Sequence, residues 1–217
     1  MKTIILLLTL TTAFHCPADP PKPLFNGKDL TGWKVADIGA HGDVKVLPDG
    51  IVECGIGHSI TGIAYTNSFP AMNYELSIEG MRKEGSDFFM ALTIPVETSF
   101  CTVIIGGWGG GLCGISSYDG NDAANNQWAE GLLLKDNAWY RLKVRVTPGV
   151  IQVSLNKDLY TARVEYDDCK RLSLRFGDIE ETLPLGLATF ETKAHWRNFT
   201  FKKIKKLRPE DKPRIEY

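Results

Sequence analysis

Two carboxylates, Glu79 and Asp87, flank an aromatic residue, Phe89, in a stretch that reads as two strands, 74–81 and 87–94, joined by Arg82-Lys83-Glu84-Gly85-Ser86. If Met81 pairs with Asp87, Glu79 faces Phe89 and Ser77 faces Ala91, so both acids share one face of a hairpin. On a concave sheet that face would hold a sugar ring, with either acid as general base or metal ligand. The same pattern also serves an ordinary solvent-facing sheet.

Further along, His195 and Arg197 fall on the parity of Phe199 and Phe201. If that face is core, the pair emerges at the strand's start. There Arg197 would steady an oxyanion and His195 carry a proton, or Arg197 would simply pair with an edge carboxylate. Three aromatics offer flat faces to a sugar: Trp108 among glycines, Tyr118, and Trp128 after Asn125-Asn126-Gln127. Trp128 ranks above Trp108 because its neighbours are polar, and interior packing is the competing use of each. His58 sits in the glycine-flanked loop Gly55-Ile56-Gly57-His58-Ser59 as a further binding candidate. Asp119, Asn121 and Asp122 supply hard oxygens suited to a divalent cation, although not in EF-hand order, and such Asx-rich loops are also simple turns.

Several familiar chemistries have no residues to run on. There is no Glu-x-Asp-x-x-Glu strand for double-displacement glycoside hydrolysis, no Gly-x-Ser-x-Gly elbow, no HExxH and no nucleotide loop. Cysteine and histidine spacings suited to zinc are missing as well.

The elements that must position these residues read as strands. Residues 140–146 alternate, with Tyr140, Leu142, Val144 and Val146 on one face and Arg141, Lys143 and Arg145 on the other. Pro148-Gly149 turns into 151–155, and Asn156-Lys157-Asp158 turns into 159–164, forming a meander. Strand-like runs recur at 44–47, 51–54, 88–94, 101–106, 172–176, 185–190 and 196–204, and no stretch sustains helical periodicity. The fold class expected is all-β, a jelly-roll sandwich of two antiparallel sheets.

The chain has 217 residues, 25 Lys and Arg against 26 Asp and Glu, 43% apolar residues and 21 glycines. That is enough for one core, and the balanced charge argues against a nucleic-acid partner. Met1, Lys2 and the apolar run 4–14 read as an export signal over 1–18, too short to span a bilayer, with lipid attachment at Cys16 the less favoured alternative. A Pro-rich linker over 19–23 should exclude regular structure, the domain should occupy 24–206, and the charged tail 207–217 should lie in solvent. Cys54, Cys101, Cys113 and Cys169 remain after cleavage. They would form disulfides, a Cys101–Cys113 bridge among the possible pairings, or stay reduced as small core residues.

One resemblance runs through the whole domain. Leu24-Phe25-Asn26-Gly27-Lys28-Asp29-Leu30-Thr31-Gly32-Trp33, Met72-Asn73-Tyr74-Glu75-Leu76, Ser86-Asp87-Phe88-Phe89, Gly106-Gly107-Trp108-Gly109-Gly110, Gly114-Ile115-Ser116-Ser117-Tyr118-Asp119-Gly120 and Trp196-Arg197-Asn198-Phe199 resemble the 3-keto-disaccharide hydrolase family, a group of planctomycetes and related bacteria. The resemblance implies a concanavalin-like jelly roll. In some members it also implies cleavage of glycosides already oxidised to a ketone at sugar carbon 3, with a divalent metal a possible cofactor. A non-catalytic carbohydrate-binding module on the same fold is the alternative, since fold alone does not fix function.

Overall fold

The structure is a computed structural model and describes residues 20–175 and 177–214. The export signal and Cys16 lie outside the described residues, as do Phe176 and the last three residues of the tail.

Among the described residues the strands are, in order, β1 (Lys22–Pro23), β2 (Trp33–Val35), β3 (Val44–Val46), β4 (Val52–Cys54), β5 (Ile60–Tyr65), β6 (Tyr74–Glu84), β7 (Met90–Val96), β8 (Ser99–Gly107), β9 (Leu112–Ser116), β10 (Glu130–Gly131), β11 (Tyr140–Thr147), β12 (Val150–Leu155), β13 (Tyr160–Glu165), β14 (Gly186–Phe190) and β15 (Lys193–Lys203). Helical structure among the described residues is confined to three 3-10 turns, Cys169–Arg171, Asp178–Thr182 and Pro209–Asp211. The strands form two antiparallel sheets, the expected all-β sandwich. One runs β13-β12-β11-β6-β15-β4-β3, with β1 also paired to β15; the other runs β10-β9-β8-β7-β14-β5-β2.

The meander is present as read: β11, β12 and β13 are consecutive and in register, Lys143 opposite Ser154 and Ser154 opposite Thr161. In β6, Tyr74, Leu76 and Ile78 are buried while Glu75 and Ser77 are half-buried, the alternation of a sheet with one face on the core. Between the sheets lies a core that includes Trp196, Phe89, Phe199 and Tyr160. Each such side chain contributes about 1.5–3 kcal/mol through the water it leaves. Trp196 is fully buried and its indole N–H donates to the carbonyl of Phe89 at 2.7 Å, tying the sheets together. Gly80 is required at the closest approach, because a Cβ there would run into the side chain of Met90.

The outer faces differ. The β7 sheet is covered on its far side by a second apolar cluster that includes Ile38, Phe88, Ile104 and Ile179, and β7 is buried throughout. The β6 sheet leaves its outer face polar and open. Whatever the domain does on a sheet surface, it has this face to do it with.

Several expectations are corrected. Strands β6 and β7 do not pair as a hairpin: β6 pairs β11 and β15, whereas β7 pairs β8 and β14 in the opposite sheet. Phe88, Phe89 and Met90 are too apolar to extend a half-open sheet, and the chain crosses the core after Glu84 to bury them. Residues 172–175 are not a strand; Leu172 makes only an isolated bridge to Tyr118. The short β2, β5 and β9 were not anticipated. Pro23 lies within β1, opposite Thr200, at a sheet position that tolerates the missing N–H. The tail is not simply solvated, since Asp211 is fully buried.

The parity of β15 is also reset. Arg197 pairs with Glu79 but Thr200 with Ser77, so one extra residue is bulged, and Asn198 takes a left-handed φ of 56°. Phe199 therefore turns into the core while Arg197 stays outside, although both fall on one parity in the sequence.

Candidate functional site

Three adjacent strands bring Arg141, Glu79 and Arg197 into one row on the open face, through the pairings Arg141 with Glu79 and Glu79 with Arg197. Glu79 Oε1 accepts from Arg141 Nε at 3.0 Å and Nη2 at 2.5 Å. Its Oε2 accepts from Arg197 Nε and from Asn198 Nδ2, each at 2.9 Å. The bulge makes the last pair possible, since it sends Arg197 and Asn198 to the same side. Burial alone would push the Glu79 carboxyl up, but the bonds from Arg141, Arg197 and Asn198 hold it below the ordinary value. A carboxylate so held is an anchor for two guanidinium groups and a weak base.

Beside this row the Arg197 guanidinium lies over the Trp139 ring, 3.8 Å from its centroid. Trp139 is set by its neighbour Tyr140, which is buried and accepts at its hydroxyl from the Lys135 amide at 2.7 Å. Glu79, Trp139, Arg141 and Arg197 line one part of a cleft of about 520 Å³, completed by Lys143, Ser154, Asn156 and Lys157 from the meander. Its size is that of an ordinary small-molecule site. Asn156 is fixed there by accepting the Arg141 amide at 2.8 Å.

The flanks of the face are closed by ion pairs. On one side Arg145 makes two 2.6 Å bonds to Asp211 and a 3.2 Å bond to Glu75, which docks the turn Pro209–Asp211 on the sheet. Although burial opposes it, Arg145 and Arg208 hold the Asp211 carboxyl far below the usual carboxylate range. On the other side Glu53 meets His195 Nε2 at 2.8 Å and Lys45 and Lys193 at 3.1 Å each. There too burial alone would raise the carboxyl, and the three donors bring it down to about 2.

Of the residues picked out by sequence, only Glu79 and Arg197 line the cleft. His195 shares their sheet face but is turned to Glu53 and is not part of the lining. Asp87 stands at the start of the other sheet, where Oδ1 accepts from the Phe88 amide and Oδ2 from the Gly109 amide. Trp108 is exposed beside that loop, with Arg175 over its ring at 5.5 Å. Trp128 is a packing residue: its indole N–H donates to the Arg163 carbonyl and its ring meets Tyr118 edge-on at 4.7 Å. Tyr118 is itself buried and carries the Arg171 guanidinium on its face. His58 is an exposed loop residue. The Asp119, Asn121 and Asp122 loop is tied into itself, Asp119 gripping Arg171 and Asp122 holding the Ala124 amide and Asn125. Among the described residues no three His, Cys, Asp or Glu side chains gather to hold a metal, so they do not fit the divalent ion the resemblance allows. Of the two readings of the cysteines, reduced core residues rather than a Cys101–Cys113 bridge is the one found. Cys113 stands opposite Ile105, four residues along from Cys101, and all four described cysteines are free and buried.

Sequence reasoning missed Trp139, Asn156, Lys157 and Asn198. A signal was available, since Trp139 immediately precedes the strand whose outer face is Arg141, Lys143 and Arg145.

No curated protein sequence matches the chain. Among solved structures, the carbohydrate-binding module CBM66 from Bacillus subtilis is similar over 80% of this chain and 97% of its own, at 14% identity and a TM-score of 0.54. A galectin-like protein of unknown function from Bacillus subtilis covers 85% and 94%, at 12% identity and a TM-score of 0.57. A family 7 alginate lyase bound to its substrate covers 86% and 100%, at 12% identity and a TM-score of 0.53. At these identities the likeness establishes the jelly-roll fold. The sequence signature of the 3-keto-alpha-glucoside-1,2-lyase-like domain, however, matches residues 20–202, nearly the whole of both sheets. The chain therefore belongs to the family of 3-keto-alpha-glucoside-1,2-lyase-like domains.

Proposed function

We propose that this carbohydrate-active domain is exported and cleaves 3-keto-glycosides by elimination in the cleft beside Trp139. A ketone at C3 acidifies the C2 proton. Its removal leaves an enolate on the C3 oxygen, whose collapse forms the C1–C2 double bond and expels the glycosidic oxygen, which takes up a proton. Water added across the double bond then gives the free 3-keto sugar. The observation that carries this reading is the pair of guanidinium groups, Arg141 and Arg197, anchored on Glu79 and facing the cleft. Among the described residues Arg197 uses only Nε on Glu79, which leaves its terminal N–H groups to meet developing negative charge. Trp139 offers a surface for the sugar ring.

One observation favours a second reading, a non-catalytic sugar-binding module. The cleft's single carboxylate is engaged by three side chains and makes a poor base. Incubation of the protein with a 3-keto-glucoside, with chelator and with added divalent metals, separates the two. Release of the aglycone that is lost in Arg197→Ala supports the enzyme, whereas binding of the sugar with no release under any metal supports the module.

A further inference from the structure

We infer that the cleft takes an acidic glycan, one bearing carboxylate or sulfate groups, an inference that rests on reading the cleft as the carbohydrate site. The chain as a whole carries a net charge of −1. Its cleft does not share that balance. Arg141, Lys143, Lys157 and Arg197 line it, and Glu79 is the one acid against them. Glu79 is consumed by the two arginines, so the surplus falls on Lys143 and Lys157, neither of which has an ion pair among the described residues.

The other acids of the face are engaged elsewhere. Glu75 and Asp211 are held by Arg145, Glu165 by Arg163, and Glu53 by Lys45, Lys193 and His195. Asp158 lines the adjoining depression but not the cleft. Lys143 borders the cleft and both depressions beside it, so a chain of sugars crossing the sheet would pass this ammonium wherever it lay. Cations crowded without counter-charge in a concave surface repel one another and draw anions from solution. Ser154 and Asn156 add neutral groups suited to sugar hydroxyls.

Calorimetric titration of the full chain with an oligogalacturonate, a carrageenan oligosaccharide and cellopentaose tests this at low and at high salt. The expected result is at least tenfold tighter binding of an acidic probe than of neutral cellopentaose, falling with salt. A Lys143→Ala/Lys157→Ala variant should lose at least tenfold for that probe, while Lys28→Ala/Lys34→Ala, neither of which lines the cleft, should not change. The tighter of the two acidic probes assigns carboxylate or sulfate. Equal affinity for the neutral probe, unchanged binding in the cleft variant, an equal loss in the Lys28 and Lys34 control, or no binding of any probe would overturn the inference. Turnover of a neutral 3-keto-glucoside does not enter this result. Acidic-glycan binding without turnover would sink the lyase reading alone, and turnover without acidic preference would sink this inference alone.

Discussion

Arg197 lies over the indole of Trp139 with its guanidinium carbon 3.8 Å from the ring centroid, while its Nε is held by Glu79. One side chain thus joins the aromatic wall of the cleft to its charged floor. Replacing Trp139 with Ala removes both the wall and the surface that keeps Arg197 in place. A loss of about 1.4 kcal/mol, or tenfold, in sugar affinity is expected, with Trp139→Phe retaining most of it. Titration of the two variants with the same 3-keto-glucoside checks this, and equal affinities for Trp139→Ala and the parent would place the sugar elsewhere.

Glu79 anchors three donors from a nearly buried position, its side chain 8% exposed. Glu79→Gln leaves two guanidinium groups without their counter-charge. Fully buried pairs lose more, but Arg141 is more than half exposed, so a loss of about 2 kcal/mol is expected in chemical denaturation. An unchanged unfolding midpoint would show that the anchor contributes nothing to folding.

Glu53 gives a prediction in acid. Its folded value of about 2 lies below its ordinary 4.5. A lowered carboxyl stabilises the fold above the ordinary value, and that contribution is lost as pH falls from 4.5 towards 2. The unfolding midpoint should therefore decline over this window, and the decline should be smaller in Glu53→Gln. Parallel pH profiles for the two proteins would count against the cluster of Lys45, Lys193 and His195 around this residue.

The buried thiols give another. Burial pushes Cys54 and Cys101 up to about 12 and Cys113 up to about 11, so in native protein at pH 8 these three thiols should react with thiol reagents only as fast as the protein unfolds. In guanidinium Cys54, Cys101, Cys113 and Cys169 should all titrate. A shortfall of two would mean a disulfide and a different packing of β8 and β9.

The sandwich was legible in the sequence where one face of a strand is wet. The meander β11–β13 alternates cleanly because every second residue meets water, and its register follows from two short turns. Strand β7 carries no such signal. It is buried on both faces, so its pairing partner is decided by which sheet can cover Phe88 to Met90, a question of tertiary packing that no local pattern encodes. Mispairing β6 with β7 then placed Asp87 beside Glu79. Similarly, the polar neighbours of Trp128 suggested exposure, yet they are loop residues around a ring that packs against Tyr118. Glu79 and Arg197 were legible as charged residues on strands, but their true partners, Trp139 and Asn198, come from a strand's approach and from a bulge.

That bulge makes β15 a strand whose length carries information. Asn198 acts as a phase shifter: upstream, even-numbered residues face the core, and from Phe199 onward odd-numbered ones do. Substituting it would remove one donor from Glu79 and leave the frame intact. Deleting it would remove the extra residue: Phe199 would follow Arg197 and still face the core, Thr200 would still stand opposite Ser77, and the loss would again be one donor to Glu79. Removing a residue after the bulge, such as Thr200, would instead turn Phe201 away from the core, and should therefore harm the protein more than removing Asn198 itself.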